Sequence, residues 1–396
     1  MVKYDFDEVL DRRASDCLKY GVLQERWGRT DLLPLWVADM DFRTPDFILQ
    51  ALRRRLDHEV LGYTAAHPQW RESIVEWLRQ EQQWQIRPEH LTFVPGIVRG
   101  IAFVLQAFTQ PGDKVLVMNP VYHPFFLVTE HNGRQTVYHT LRLDTIQTPE
   151  GPQRQYVIDF EQLDRDLEGV KVLLLSNPHN PGGRVWTADE LRRIAHLAQC
   201  HGTLVVSDEI HADLVLSPHR HTPFASVSEE ASQISITFGS PSKAFNIPGI
   251  VTSYSIVPND SLRRRWNNYL AASELDEGNM FAQLAAVTAY TQGSEWLHEV
   301  RKYILANVDF VVDYCQKHLP GIVPIRPQAS FLVFLDCRAL GLNHDQLLDL
   351  FIDKAHLALD DGRKFGTAGE GFMRLNVATP RSVLQEALER LKKVLE

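Results

Sequence analysis

Cysteine is scarce in this chain of 396 residues: Cys17, Cys200, Cys315 and Cys337 lie far apart, with no CxxC pair among them. That spacing is no disulfide framework and reads as free thiols in a reducing compartment. Positive charge is not in excess either. Lys and Arg number 41 against 50 Asp and Glu, a formal charge of -9, which argues against nucleic acid as the main partner. No apolar run reaches the length of about 18 residues that a membrane helix needs. The first residues, MVKYDFDEVLDRRASD, are charged from the start and lack the apolar stretch of a signal peptide. Together these absences predict a soluble cytoplasmic protein. There is no internal repeat and no low-complexity tract, and Gly (22) and Pro (21) are too ordinary for a collagen-like or linker-like chain.

What remains is a globular balance, 44% hydrophobic and 23% charged. Short apolar runs alternate with amphipathic stretches. Residues 113–118 (DKVLVM), 171–176 (KVLLLS), 203–207 (TLVVS), 234–238 (ISITF) and 252–257 (TSYSIV) read as buried strands. Thr187-Ala188-Asp189-Glu190 is a capping box that opens a helix with Leu191, Ile194, Ala195, Leu197 and Ala198 on its apolar face. Strands alternating with helices predict an α/β fold on a mostly parallel sheet. The last third differs: a long amphipathic helix over 294–317, strands near 330–335 and 373–377, and a terminal helix carrying Leu384, Leu388, Leu391 and Leu395. The reading is a large domain over 45–285 and a smaller α+β domain formed by 1–44 with 286–396.

Ligands of such sheets sit at the carboxyl ends of the strands. After KVLLLS comes Asn177-Pro178-His179-Asn180-Pro181-Gly182-Gly183. After TLVVS comes Asp208-Glu209-Ile210-His211, and after ISITF comes Gly239-Ser240-Pro241-Ser242-Lys243. Three strands thus deliver an Asn, an Asp and a Lys to one edge, with two hydroxyls just before the Lys. Pyridoxal 5'-phosphate needs that set: an amine for its Schiff base, an acid to keep the pyridine nitrogen protonated, and hydroxyls and backbone N–H groups for its phosphate. A lone Lys after a strand is usually a solvated surface residue and a lone Asp an N-cap; their order and spacing are what carry the reading.

NPHNPGG, SDEIH and SPSKAFN in this order resemble the fold-type I pyridoxal-phosphate enzymes of the class I/II aminotransferase superfamily, and Trp36 to Phe42 (WVADMDF) resembles the MalY/PatB subgroup of cystathionine β-lyase-like C–S lyases. The resemblance runs from about residue 4 to the end. It implies a three-layer large domain. It also implies that Lys243 is the Schiff-base lysine and proton shuttle, that Asp208 pairs with the pyridine nitrogen and that Asn180 and His211 meet the ring oxygen. Tyr122 would stack on the ring, and Gly96, Ile97 and Val98 would offer N–H groups to the phosphate, with hydroxyls from Ser240 and Ser242. Tyr63 would reach the phosphate from the other subunit of a homodimer. Arg374 would hold the carboxylate of a small amino-acid substrate, with Ala38 beside it. The implied reaction is β-cleavage of cystathionine or another S-substituted cysteine to a thiol, pyruvate and ammonia. The alternatives are an aminotransferase on the same scaffold and a regulatory protein that keeps the fold. One departure stands out: residues 244–251 (AFNIPGIV) carry no cation where many relatives place a phosphate-binding Arg.

The other candidates have plainer readings. His219-Arg220-His221 reads as solvated, and no metal site is expected. Arg53-Arg54-Arg55 and Arg263-Arg264-Arg265 read as solvated helix faces or intersubunit ion pairs. Trp70, Trp77 and Trp84 read as core. Residues 362–366 (GRKFG) read as a loop that shapes the substrate entrance or a plain connector.

Overall fold

The computed structural model describes residues 4–148 and 151–396. Its central sheet has seven strands: β1 (Leu91–Val94), β2 (Lys114–Asn119), β3 (Gln135–Thr140), β4 (Val170–Ser176), β5 (Leu204–Asp208), β6 (Ser235–Gly239) and β7 (Ser253–Ile256). In space they run β1-β7-β6-β5-β4-β2-β3. The pairs β2–β3, β2–β4, β4–β5 and β5–β6 are parallel, while β7 is antiparallel to both β6 and β1.

The side-chain period of two sorts this sheet's apolar residues onto opposite faces. Val115, Val117, Val172, Leu174 and Val206 join one core with helix α3 (Ile97–Phe108). Leu116, Met118, Leu173, Leu175 and Val205 join another with α4 (Ala188–Cys200), which begins at the Thr187–Glu190 capping box. Helices on both faces make three layers, and strands covered on both sides read as continuous apolar runs.

A third core gathers helices α1 (Asp46–Leu56), α2 (Trp70–Glu81), α5 (Met280–Gln292), α6 (Ser294–His318) and α7 (Arg381–Leu395). Trp70, Trp77 and Trp84 are buried in it. It extends to a second, antiparallel sheet of β8 (Val323–Ile325), β9 (Leu332–Asp336), β10 (Asp360–Asp361) and β11 (Phe372–Asn376), ordered β8-β9-β11-β10. Arg142–Thr148 and Gly151–Val157 form an antiparallel pair that the sequence reading did not anticipate. Its residues are mostly polar and mostly at least partly exposed, so no apolar run announced it. Among the described residues, no helix is long and apolar enough to cross a membrane.

Candidate active site

A cavity of about 440 Å³ opens at the carboxyl ends of β4, β5 and β6. Asn180, Asp208 and Lys243 all line it, together with Tyr122, His211, Ser242, Ala38 and the Gly96-Ile97-Val98 turn. Each is placed by its element. Asp208 is the last residue of β5, and Lys243 stands four residues after the end of β6. Asn180 belongs to a turn whose two glycines have steric reasons. A Cβ at Gly182 would meet the Tyr156 ring, and Gly183 adopts φ +65° with Pro327 packed against it. Gly96 has φ +102°, a conformation essentially confined to glycine, and lets the chain turn from β1 into α3. The first N–H groups of α3 therefore face the cavity, where the helix dipole favours an anion.

The site's charges are held in unusual states. Burial pushes the Asp208 carboxyl up to about 7, against the opposing pull of the Ile210 N–H it accepts at 3.1 Å and of Lys243. Burial brings the Lys243 amine down to about 8, Arg374 adding to the effect while Asp39 and Asp208 oppose it. The ammonium donates to the Ala38 carbonyl at 2.5 Å. Burial, with Lys243 and Arg374 nearby, holds the His211 imidazole down to about 3, so the ring is neutral at ordinary pH. Burial raises the Tyr122 phenol.

Arg374, from the middle of β11, is buried and hydrogen-bonded on several sides. It donates to Asn180 Oδ1 at 3.1 Å, to the Trp36 carbonyl at 3.2 Å and to the Asp360 carboxylate. Its guanidinium lies 4.8 Å from the ring of Phe365, which ends a short 3-10 helix over Gly362–Phe365 rather than lying in a plain loop. Because Asn180 Oδ1 accepts from Arg374, the amide nitrogen of Asn180 is the end left for a ligand.

Three expected site residues, Arg374, Ser240 and Tyr63, are not part of the cavity wall, and a further residue, His221, departs from its expected exposure. Ser240 is not part of the cavity wall. It lies behind Ser242, 2.7 Å from its hydroxyl, and donates to the Thr252 carbonyl. Tyr63 is fully exposed and does not line this chain's own cavity. His221 corrects the expectation of a solvated His219-Arg220-His221 loop. Its side chain is buried, with Nε2 at 2.8 Å from Glu209. The cause is Glu209 itself, buried beside Asp208, which also accepts from Ser207, Asn177 and the Phe224 N–H.

The sequence reading missed Arg99. It sits in the first turn of α3, lines the cavity and donates to the Pro95 carbonyl at 2.9 Å. Its Nη1 lies 3.9 Å from where a Cβ on Gly96 would stand. A cation thus borders the turn expected to receive the phosphate, although none follows Lys243 within residues 244–251. The usable signal was its place two residues beyond the Gly96-Ile97 helix start.

These residues fit pyridoxal phosphate. Asp208 is a buried acid with no ion-pair partner among the described residues, as a site awaiting a pyridinium would have. His211 Nδ1 is buried without a hydrogen-bond partner. The Gly96 turn and Arg99 suit a phosphate, and Lys243 lies in the same cavity. Residues 30–391 match the family described as aminotransferase class I and II. The chain is 40% identical over 393 residues to cystathionine beta-lyase PatB of Bacillus subtilis, covering 99% of this chain and 100% of that one. Its fold matches cystalysin from Treponema denticola, a structure containing pyridoxal 5'-phosphate, with TM-score 0.92, 33% identity and coverage of 99% and 98%. It also matches the PLP-bound C–S lyase from Staphylococcus hominis, with TM-score 0.89, 32% identity and coverage of 100% and 98%.

Proposed function

The chain belongs to the class I and II aminotransferase family, and within it we propose a pyridoxal-phosphate-dependent C–S β-lyase that cleaves cystathionine or other S-substituted cysteines. Bound pyridoxal phosphate supplies a cationic aromatic ring that draws electrons from the substrate's α-carbon. The protein's part is to hold that ring and to move protons. Asp208 would face the ring nitrogen, and a cation there favours the carboxylate that burial alone disfavours. Asn180 would donate its free amide N–H to the ring hydroxyl, beside His211, and Tyr122 would cover a ring face. The phosphate would rest on the N–H groups of Gly96, Ile97 and Val98, on the Ser242 hydroxyl with Ser240 behind it, and on Arg99.

Arg374 would grip the substrate carboxylate next to Ala38. Asp360, the Trp36 carbonyl and Asn180 hold its guanidinium in place before any substrate arrives. Lys243, with an amine brought down to about 8, is neutral often enough to take the α-proton as general base. The β-carbon–sulfur bond then breaks with its electron pair leaving on sulfur. With one water consumed, the products are the thiol, pyruvate and ammonia. Tyr63 would complete the phosphate site of a partner subunit: it is fully exposed here, and the apolar residues Leu56, Val60 and Leu61 just before it are half exposed or more. A homodimer, a cytoplasmic location and the division into domains 45–285 and 1–44 with 286–396 belong to this proposal.

The observation that carries the reading is the convergence of Lys243, Asp208 and Asn180 on one cavity, with Arg374 tied to Asn180. The test is to incubate the purified holoenzyme with cystathionine and no keto acid. Pyruvate and thiol released in equal amounts over many turnovers support the lyase. Turnover only when a keto acid is added would make it an aminotransferase and overturn the proposal.

A further inference from the structure

The string from Trp36 to Phe42 forms neither helix nor strand, yet it is tied down along its length. Asn376 donates to the carbonyls of Val37 and Asp39, both at 2.6 Å. Asn246, three residues after Lys243, donates to the carbonyls of Met40 and Phe42 and accepts from the Met40 N–H. Arg374 holds the Trp36 carbonyl. In the middle of this strap the Ala38 carbonyl accepts from Lys243.

The strap's two carboxylates are matched by two cations from the N-terminal segment. Arg12 reaches Asp39 at 2.6 Å and Asp41 at 2.7 Å. Lys19 reaches Asp41 at 2.8 Å and Asp39 at 3.3 Å, and its side chain is 0% exposed. The Trp36 indole N–H donates to the Lys19 carbonyl, closing the strap onto that segment. Burying a lysine completely is costly unless its charge is closely paired, and here it is paired with Asp41 and, less closely, with Asp39, the residue next to Ala38.

Resting on the assignment of Lys243 as the residue that carries the cofactor, we propose that Arg12, Lys19 and Asp39 are positioning residues for the reaction: their cluster sets the place and the charge balance of the strap beside Lys243, and so the protonation of the Lys243 nitrogen. The groups facing that nitrogen are Asp39 from the strap, Asp208 from the end of β5, His211 from the turn after it, and Arg374 from β11. Asp39 is the anion whose charge the N-terminal segment controls. Burial alone would raise its carboxyl, but the Arg12 hydrogen bonds and the Lys19 charge hold it below the usual range, so it remains ionised.

The experiment is a pH titration of the holoenzyme's absorbance, which reports protonation of the lysine nitrogen joined to the cofactor. Asp39→Asn removes an anion and should move the midpoint toward acid, whereas Arg12→Gln and Lys19→Met leave Asp39 under-compensated and should move it toward base, each by ~0.5–1 pH unit. Arg12→Lys should restore the parent midpoint. A merely structural cluster would not give shifts of opposite sign, and the Arg12→Gln and Arg12→Lys pair carries the test if a variant of Asp39 or Lys19 fails to fold. Midpoints that coincide with the parent's, in variants that keep the absorbance band, would overturn the inference alone. A parent protein that shows no such band, or none abolished by Lys243→Ala, would overturn the cofactor assignment beneath it.

Discussion

Replacing Asp208 by Asn should stabilise the cofactor-free protein while weakening its hold on the cofactor. Asp208 is buried and accepts the Ile210 N–H; burial pushes its carboxyl from an ordinary 3.8 up to about 7. Without cofactor, the unfolded carboxyl is ionised from about pH 4 upward while the folded one keeps its proton until about pH 7. Folding therefore takes up a proton at this site across that window. The group's contribution to stability is most favourable in acid, declines as pH rises through the window, and levels off above it. At 1.36 kcal/mol per pH unit, the charged carboxylate costs about 4 kcal/mol above pH 7. Asn has the same shape, keeps an oxygen for the Ile210 N–H and never ionises. The check is urea unfolding of the cofactor-stripped parent and Asp208→Asn proteins, followed by tryptophan fluorescence. The variant should be the more stable at pH 8.5, by about 4 kcal/mol, and the gap should narrow toward pH 5. Cofactor titrations should show the reverse order of affinity, since only the carboxylate meets a pyridinium with a charge. A variant no more stable than the parent at pH 8.5, or a stability gap that does not change with pH, would refute the reasoning.

Three further outcomes are expected. Arg374→Lys keeps the charge but loses the fork, so KM for cystathionine should rise roughly tenfold to a hundredfold, as expected for charge-assisted hydrogen bonds worth about 1.5–3 kcal/mol, with kcat less affected; steady-state kinetics with an unchanged KM would remove Arg374 from carboxylate binding. Gly96→Ala has room for its methyl, with Val251 Cγ1 at 3.7 Å, so its cost should be backbone strain at φ +102°, about 1–3 kcal/mol; a lower urea midpoint together with weaker cofactor binding is expected, and an unchanged midpoint would count against the strained turn. Arg99→Gln should raise the cofactor dissociation constant about two- to fivefold at low ionic strength, and the difference should fade in molar salt; a salt-independent difference would exclude a direct charge interaction.

Much of the large sheet was legible because strands buried on both faces leave unbroken apolar runs, and β4, β5 and β6 each end in or lead to a residue whose type is chemically telling. Asn180, Asp208 and Lys243 could be grouped before any coordinates because a parallel sheet brings its carboxyl ends to one edge. The contacts that stayed hidden are those joining distant segments through single side chains. Nothing near Asn246 announces that it binds the backbone of Met40 and Phe42, and nothing near Arg12 or Lys19 points to Asp39. His221 looked like a loop residue because its partner, Glu209, became visible only once β5 and the turn after it were folded. Arg99 is hidden in the sequence because nothing in the stretch after Lys243 leads to it; the cavity receives this cation from the first turn of α3. The direction of β7 was equally unreadable, since a short apolar run carries no sign of which way its neighbours point.

The bond between Arg374 and Asn180 has a consequence for how such a protein could change its preferences. Arg374, by donating to Asn180 Oδ1, keeps the amide from turning over, and it is also the group proposed to receive incoming carboxylates. Whatever draws the guanidinium away also loosens the amide, so, under the proposed assignments, selectivity toward a new amino acid and grip on the aromatic ring would shift together. Adapting either one without a compensating change near Asp360 would disturb the other.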